Sequence, residues 1–202
     1  MTARDAILAA VRRNLPRPAV TLPALPGTDG QQTTTALVAR FRRELLAMGG
    51  TCFEVGDAAA ARAKVAELFP AAKVVCSAVP EVPGTRRVED VRDPHELNDV
   101  DVGVLRSPLA VAEAGAVWLT QTELVLNALG VLAQHLVVLL DPAAVVGTMH
   151  DAYARIDLAA SPYGVFMAGP SATADIEGVI VHGAQGARSM AVLLGRPGAS
   201  LV

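Results

Sequence analysis

The chain of 202 residues is 52% hydrophobic and carries a formal net charge of −3. A chain of this length can bury one sizeable core, so we expect a single main domain that needs no disulfides or structural metals. Aromatic residues make up only 3% and charges of both signs are interspersed, which argues against nucleic-acid binding because that requires clustered cations and stacking rings.

The N-terminal segment predicts a helix followed by an extended arm. Thr2 and Asp5 have the spacing of an N-terminal cap, and apolar residues repeat on one helical face as far as Leu15. The four prolines in residues 16–30 fix extended geometry and block helical hydrogen bonds. We therefore predict an N-terminal helix and proline-rich arm, residues 1–32, before an α/β domain, residues 33–202.

The sequence predicts neither secretion nor insertion into a membrane. Charged residues interrupt the apolar positions of the first helix, unlike the apolar core of a secretory signal. Elsewhere, no uninterrupted apolar run reaches the roughly 20 residues needed to cross a bilayer. We therefore expect a cytoplasmic protein without a membrane span.

The remainder of the chain alternates between helical and strand patterns. A helix predicted for residues 37–48 precedes the strand TCFEV, and a helix capped by Asp57 precedes the strand KVVCS. A further helix is predicted for residues 141–156. Later strands are VGVLRS, GAVWLTQ, HLVVLL, YGVFMAG and SMAVLLG. This alternation favours an α/β fold with a mainly parallel sheet and helices on both faces.

Polar residues crowd into GPSATADIE, which starts at Gly169 directly after a predicted strand. In open α/β sheets, ligands bind beyond the carboxyl ends of strands. Ser171 or Thr173 could cap a helix whose first N–H groups receive a small anion. Asp175 and Glu177 would repel such an anion unless they accept protons or face elsewhere. An ordinary capped helix start is the alternative.

Glu113 is a second candidate because it precedes Gly115 at the start of the strand AVWLT. Ser107 and Pro108, a few residues earlier, predict a helix start. If the Glu113 carboxylate shares a crevice with GPSATADIE, the clustered charges raise the proton affinity of one carboxylate and suit it to general acid or base catalysis. A solvated glutamate at a helix end is the alternative.

The histidines and cysteines predict no metal or cofactor site in this chain. The four histidines lack HxH or HExxH spacing. Cys52 and Cys76 stand singly in separate strands, where buried free thiols are expected, and an iron–sulfur cluster needs about four thiolates. His182, with Gly183 and Gly186 following, is a candidate for the wall of the same crevice, with a structural role as the alternative.

GPSATADIEG and the following VHGAQGARSMAVLLG resemble the signature of the LUD-domain family, also called lactate-utilization protein C or YkgG-like. AEAGAVWL and NALGVLAQHLVVL resemble earlier segments of the same family, so the resemblance runs in order through the C-terminal half. It implies a fold similar to NagB/RpiA and CoA-transferase-like proteins. It also implies a role in oxidising L-lactate to pyruvate beside iron–sulfur oxidoreductase subunits.

The chain departs from the resembled pattern in two segments. Asn127 stands where family members often carry an arginine, and Gln185 and Ala187 replace the histidine and proline of a GxHGP segment. The missing cation implies different or weaker binding of a carboxylate or phosphate, because charge-assisted hydrogen bonds are among the stronger ones. Arg106 and Arg188 are candidates to compensate.

Three functions remain open from the sequence. The first is an accessory subunit of L-lactate oxidation, with redox cofactors carried by iron–sulfur partners. The second is a CoA-transferase-like or sugar-phosphate-isomerase-like enzyme that uses Glu113, Asp175 or Glu177 on a small anionic substrate. The third is a regulatory binding domain without catalysis.

Overall fold

A computed structural model of the chain describes residues 2–15, 32–161, 163–175 and 177–195. The predicted proline-rich arm, residues 16–30, lies outside them. Helix α1 (Ala3–Asn14) starts as predicted, because the Thr2 hydroxyl accepts a hydrogen bond from Asp5 N and the Asp5 carboxylate accepts one from Thr2 N. No side chain of α1 is buried.

Two helix–strand units follow, as the sequence predicts. They consist of α2 (Thr34–Ala47), β1 (Thr51–Glu54), α3 (Ala58–Leu68) and β2 (Val75–Ser77). The Thr33 hydroxyl caps α2, and the Asp57 carboxylate caps α3 by accepting a hydrogen bond from Ala60 N at 2.7 Å. The first half of the α/β pattern is therefore confirmed.

The described residues form a six-stranded sheet in which every pair of neighbouring strands is parallel. Its remaining members are β3 (Arg86–Arg87), β4 (Val102–Ser107), β7 (His135–Leu140) and β12 (Ser189–Leu194). The strand order is β1-β12-β7-β4-β2-β3. The predicted α/β fold with a mainly parallel sheet is thus confirmed.

A second sheet of four strands accompanies the parallel one, in the order β8-β5-β6-β9. Its strands are β5 (Leu109–Val111), β6 (Ala116–Thr120), β8 (Val145–Val146) and β9 (Gly164–Met167). Strand β6 pairs antiparallel with both β5 and β9, whereas β8 pairs parallel with β5. Two short helices, α4 (Gln121–Leu124) and α5 (Leu129–Leu132), connect β6 to β7.

Both faces of the parallel sheet are covered by other elements. Successive side chains of a strand point to opposite faces, so neighbouring residues belong to different apolar clusters. Val104 shares one apolar cluster with Val65 of α3. Its neighbour Leu105 lies in the other cluster, with Phe41 of α2 and Val117 of the second sheet. One face is therefore covered by α3, and the opposite face by α2 together with the second sheet.

Outside the GPSATADIE segment, two helical predictions are wrong. Residues 141–156 do not form one helix, because Val145 and Val146 pair with β5 and only the short α6 (Met149–Tyr153) follows. No helix starts at Ser107 and Pro108, since β4 continues almost directly into β5. The buried Ser107 hydroxyl lies 2.7 Å from the carbonyl oxygens of Leu109 and Trp118.

Among the described residues, no helix has the length and apolarity to cross a bilayer.

Candidate functional site

The GPSATADIE segment leaves the second sheet through a turn that requires glycine. Gly169 follows β9 with a φ of 70°, and a Cβ atom there would lie 2.2 Å from the Met48 carbonyl oxygen. Pro170 lies beside Gly49, in the same turn after α2. The start of the segment is therefore anchored against the end of α2.

The segment then forms a β-hairpin and not the predicted helix start. Strands β10 (Ala172–Thr173) and β11 (Val181–His182) pair antiparallel, and we refer to residues 171–183 as the β10–β11 hairpin. Thr173 Oγ1 accepts a hydrogen bond from Asp175 N at 3.3 Å, which is a turn contact. Glu177 and Gly178 both have positive φ, unlike helical residues. The prediction of an anion site at a helix N-terminus in this segment is therefore wrong.

The base of the hairpin brings several predicted ligand-binding residues together. Ser171 N donates a hydrogen bond to the Ala187 carbonyl at 2.8 Å, and Gly183 N donates one to the Ser171 carbonyl at 2.8 Å. A Cβ atom at Gly186 would lie 3.0 Å from Ser171 Cβ, and His182 pairs with Ala172. Ser171, Thr173, His182, Gly183 and Gly186 thus lie on or beside one hairpin.

The acidic candidates of this segment lie in solvent. Asp175 and Glu177 are exposed, and so is His182. Two aliphatic residues of the hairpin, Val179 and Ile180, are also exposed, at 62% and 65%. In the part of the chain that the structure describes, no three histidine, cysteine or acidic residues lie close enough to hold a metal ion.

Glu113 lies between β5 and β6 and makes its contacts with other elements. Its Oε1 accepts a hydrogen bond from Met149 N at 2.6 Å, at the start of α6, and its Oε2 lies 3.9 Å from Arg40 Nη2 of α2. Because Val117 pairs with Met167, the start of β6 and the end of β9 lie side by side. Glu113 and Gly169 therefore lie at the same end of the second sheet, but the recorded contacts of the Glu113 carboxylate are with α2 and α6.

The positions that depart from the resembled pattern lie in different surroundings. Asn127 Oδ1 is buried and has no hydrogen-bond donor among the described residues. Arg106 is paired with Glu81 at 2.6 Å. Arg188 is exposed, and its Cγ would lie 2.3 Å from a Cβ atom at Gly183. Of the two proposed compensating arginines, Arg188 is therefore the one beside the hairpin.

The cysteines have the properties expected of structural thiols. Both are free; Cys76 is buried and Cys52 is partly buried. Burial raises the pKa of the Cys52 thiol, against the opposing effect of the nearby Arg42 guanidinium, and burial likewise raises the pKa of Cys76. A thiol that stays protonated is a weak nucleophile, so neither cysteine is activated for catalysis.

A cleft of about 470 Å³ lies at another edge of the molecule and was not predicted from the sequence. It separates the first turns of α2 from the carboxyl ends of β1 and β12. Its polar lining comes from Thr34, Thr35, Arg42 and Glu54. The one signal in the sequence is Arg42, one of three arginines in α2, and alone it does not distinguish a ligand site from a solvated helix face.

Comparison with known proteins places these elements in a family context. A family model for the LUD domain matches residues 86–194, which include the Glu113 turn and the β10–β11 hairpin. The crystal structure of a DUF162 family protein from Deinococcus radiodurans is similar with a TM-score of 0.63 and 16% identity, covering 82% of this chain and 100% of that one. This likeness shows a shared fold. No curated protein matches the chain.

Proposed function

The chain belongs to the LUD domain family, which is associated with lactate utilization, and from this we propose that it is an accessory subunit in the oxidation of L-lactate to pyruvate. The observation that carries the proposal is the family match over residues 86–194. The match includes the hairpin, the four strands of the second sheet and four of the six strands of the parallel sheet, so the family assignment covers most of the strands around the hairpin.

The accessory role follows from what the reaction demands. Oxidation of L-lactate to pyruvate removes two electrons and two protons from one carbon and its hydroxyl group, and an acceptor must take them. The chain has only two cysteines, on separate strands, whereas an iron–sulfur cluster needs about four thiolates. We therefore assign the electron-carrying clusters to iron–sulfur oxidoreductase subunits that act beside this chain.

The β10–β11 hairpin is the surface that we assign to contact with such a subunit. Val179 and Ile180 are exposed among the described residues, and contact with another molecule would remove their apolar surface from water. Asp175 and Glu177 beside them favour a partner with cationic groups around the apolar contact. These four side chains match an apolar centre with a charged rim.

The competing enzyme hypothesis gains less support from the contacts. Glu113 accepts a hydrogen bond from the start of α6 and lies near Arg40, which is the arrangement of a structural carboxylate. Asp175 and Glu177 are exposed, without the exclusion of water that strengthens acid–base catalysis. These observations favour an accessory role over a CoA-transferase-like or isomerase-like enzyme.

Growth on L-lactate tests the proposal in the source organism. Deletion of the gene should abolish growth on L-lactate while leaving growth on pyruvate unchanged, because pyruvate enters metabolism after the oxidation. The wild-type gene should restore growth, and its protein product should co-purify with iron–sulfur proteins. Normal growth of the deletion strain on L-lactate contradicts the proposal.

The hairpin assignment is tested with matched complementing genes. Replacing Val179 and Ile180 together by Asp should prevent complementation and co-purification, because it places charge in the apolar contact. Replacing Ile7 and Val11 together by Asp is the control, because these residues are also exposed, at 63% and 54%, but lie on α1. Restored growth with the hairpin variant would refute this surface. If the chain is instead a regulatory binding domain, the hairpin variant should alter lactate-dependent gene expression and should not change co-purification.

A further inference from the structure

The cleft beside α2 occupies the position where open α/β sheets bind ligands. Glu54 ends β1, Leu194 ends β12, and Pro142 follows the end of β7, so the carboxyl ends of three adjacent parallel strands border the cleft. Ligands of such sheets bind beyond the carboxyl ends of the strands. The volume of about 470 Å³ is within the range of small-molecule sites.

We propose that this cleft binds a small organic acid whose carboxylate contacts Arg42. The inference goes beyond the role in lactate utilization, because α2 and β1 lie outside the segment that matches the family model. It also involves none of the residues of the β10–β11 hairpin. A substrate and a regulator that are both small organic acids would make the same contacts at this site.

Among the described residues that line the cleft, Arg42 supplies the only cationic side chain, and its charge is incompletely neutralised. Its Nη2 donates a hydrogen bond to Glu54 Oε1 at 2.8 Å, but the Glu54 side chain is 75% exposed. Its Nε is buried and donates no hydrogen bond to any described residue. An exposed ion pair contributes little stability, so a ligand carboxylate can displace Glu54 from the guanidinium at small cost.

The other walls define the class of acid. Val38 and Pro142 contribute partly exposed apolar surface, which favours a ligand with an aliphatic portion. Thr34 and Thr35 contribute hydroxyls that can donate to a carboxylate or accept from a ligand hydroxyl. One arginine and one glutamate leave no net charge in the lining, so a monocarboxylate fits better than a polyphosphate.

Titration of the purified full chain tests binding directly. Sodium L-lactate and sodium butyrate are the probes, lactamide is the uncharged control, and sodium chloride holds the ionic strength constant. The backbone amides of Thr34 and Thr35 should show saturable NMR shifts with at least one of the acids and none with lactamide. Failure of both acids to produce saturable shifts at these amides overturns the proposal.

Three substitutions give effects of different sign. Arg42→Gln should weaken binding about tenfold or more, because it removes the charge-assisted contact. Glu54→Gln should tighten binding, because it removes the internal competitor for Arg42. Arg43→Gln is the matched control, since Arg43 follows Arg42 on α2, is 70% exposed and pairs with Glu44 away from the cleft lining. It should leave the dissociation constant unchanged.

The outcomes separate this site from non-specific anion binding and from the proposed function. Equal weakening by Arg42→Gln and Arg43→Gln, or weaker binding by Glu54→Gln, overturns the assignment. If Arg42→Gln does not fold, tighter binding by Glu54→Gln supports the site and unchanged or weaker binding refutes it. Because binding is measured on the purified chain, its failure leaves the growth experiment on L-lactate unaffected.

Discussion

At the scale of single residues, His135 shows how packing controls a titratable group. Its Nδ1 lies 2.8 Å from Ser189 Oγ, and its ring stacks on Phe69 at a centroid distance of 4.8 Å. Burial lowers the pKa of His135, Arg188 lowers it further, and Asp101 acts in the opposite direction. The folded state therefore favours the neutral imidazole more strongly than the unfolded state does.

This difference predicts a pH-dependent free energy of unfolding. Because the pKa of His135 in the folded state is below the ordinary value of 6.5, the stabilisation is fully present above pH 6.5 and is lost as the pH falls below it. Urea unfolding between pH 8 and pH 5.5 should show a smaller decline for His135→Gln than for the wild type. Equal declines for both proteins would contradict the assignment.

The candidate site residues show what a single sequence reveals about individual side chains. The position of Glu113 before β6 was predictable, because the strand pattern AVWLT fixes it. Its contacts with Met149 N and Arg40 were not, since they join segments that are distant along the chain. Arg42 was overlooked for the same reason: Glu54, Leu194 and Pro142 approach it only through the sheet topology.

At the scale of elements, substitutions at two glycines with the same φ distinguish the cost of backbone strain from the cost of a steric clash. Gly169 and Gly178 both have a φ of 70°. A Cβ atom at Gly169 would lie 2.2 Å from the Met48 carbonyl oxygen, whereas one at Gly178 would meet no atom of the described residues within 4 Å. Gly178→Ala should cost about 1 kcal/mol from backbone strain alone. Gly169→Ala should cost about 3 kcal/mol, because a steric clash with α2 adds to the same strain.

Urea unfolding of the two alanine variants measures this difference. Both should show the wild-type dependence on urea concentration, and the midpoint should fall more for Gly169→Ala. Equal midpoints would show that the chain relieves the clash by moving the hairpin away from α2. In that case the turn at Gly169 does not anchor the hairpin.

The β10–β11 hairpin also shows why local pattern misled the sequence analysis. Ser, Thr and Asp stabilise turns by the same side-chain hydrogen bonds with which they cap helices. Pairing of Thr173 with Val181 decides between the two structures, and it depends on residues that follow the turn. The predicted helix over residues 141–156 failed similarly, because pairing of Val145 and Val146 with β5 overrides local helical preference.

At the scale of the whole molecule, the alternation of helices and strands was enough to predict the α/β fold. Strands β4, β7 and β12 are buried on both faces and therefore appear as short continuous apolar runs. The second sheet was not predicted, because its strands β5, β6 and β9 have the same apolar character. Only their antiparallel pairing distinguishes them from the strands of the parallel sheet.

The division between the N-terminal arm and the α/β domain remains a prediction, and truncation tests it. Helix α1 buries no side chain, and Ile7 and Val11 are 63% and 54% exposed. Deletion of residues 2–31 keeps Thr33, which caps α2. We expect the free energy of unfolding of the truncated chain to lie within about 0.5 kcal/mol of that of the full chain, as for other changes at exposed positions.

Removal of one further element provides the control for this truncation. Deletion of residues 2–47 also removes Phe41 and Leu45 of α2, both fully buried in the core between the two sheets. Loss of each such side chain costs about 2–5 kcal/mol, which together exceed the stability of many domains, so this chain should not fold. Circular dichroism during urea unfolding measures whether each truncated chain folds and how stable it is. A loss of more than about 2 kcal/mol from deletion of residues 2–31 alone would place the arm within the cooperative unit of the domain, since surface changes rarely cost that much.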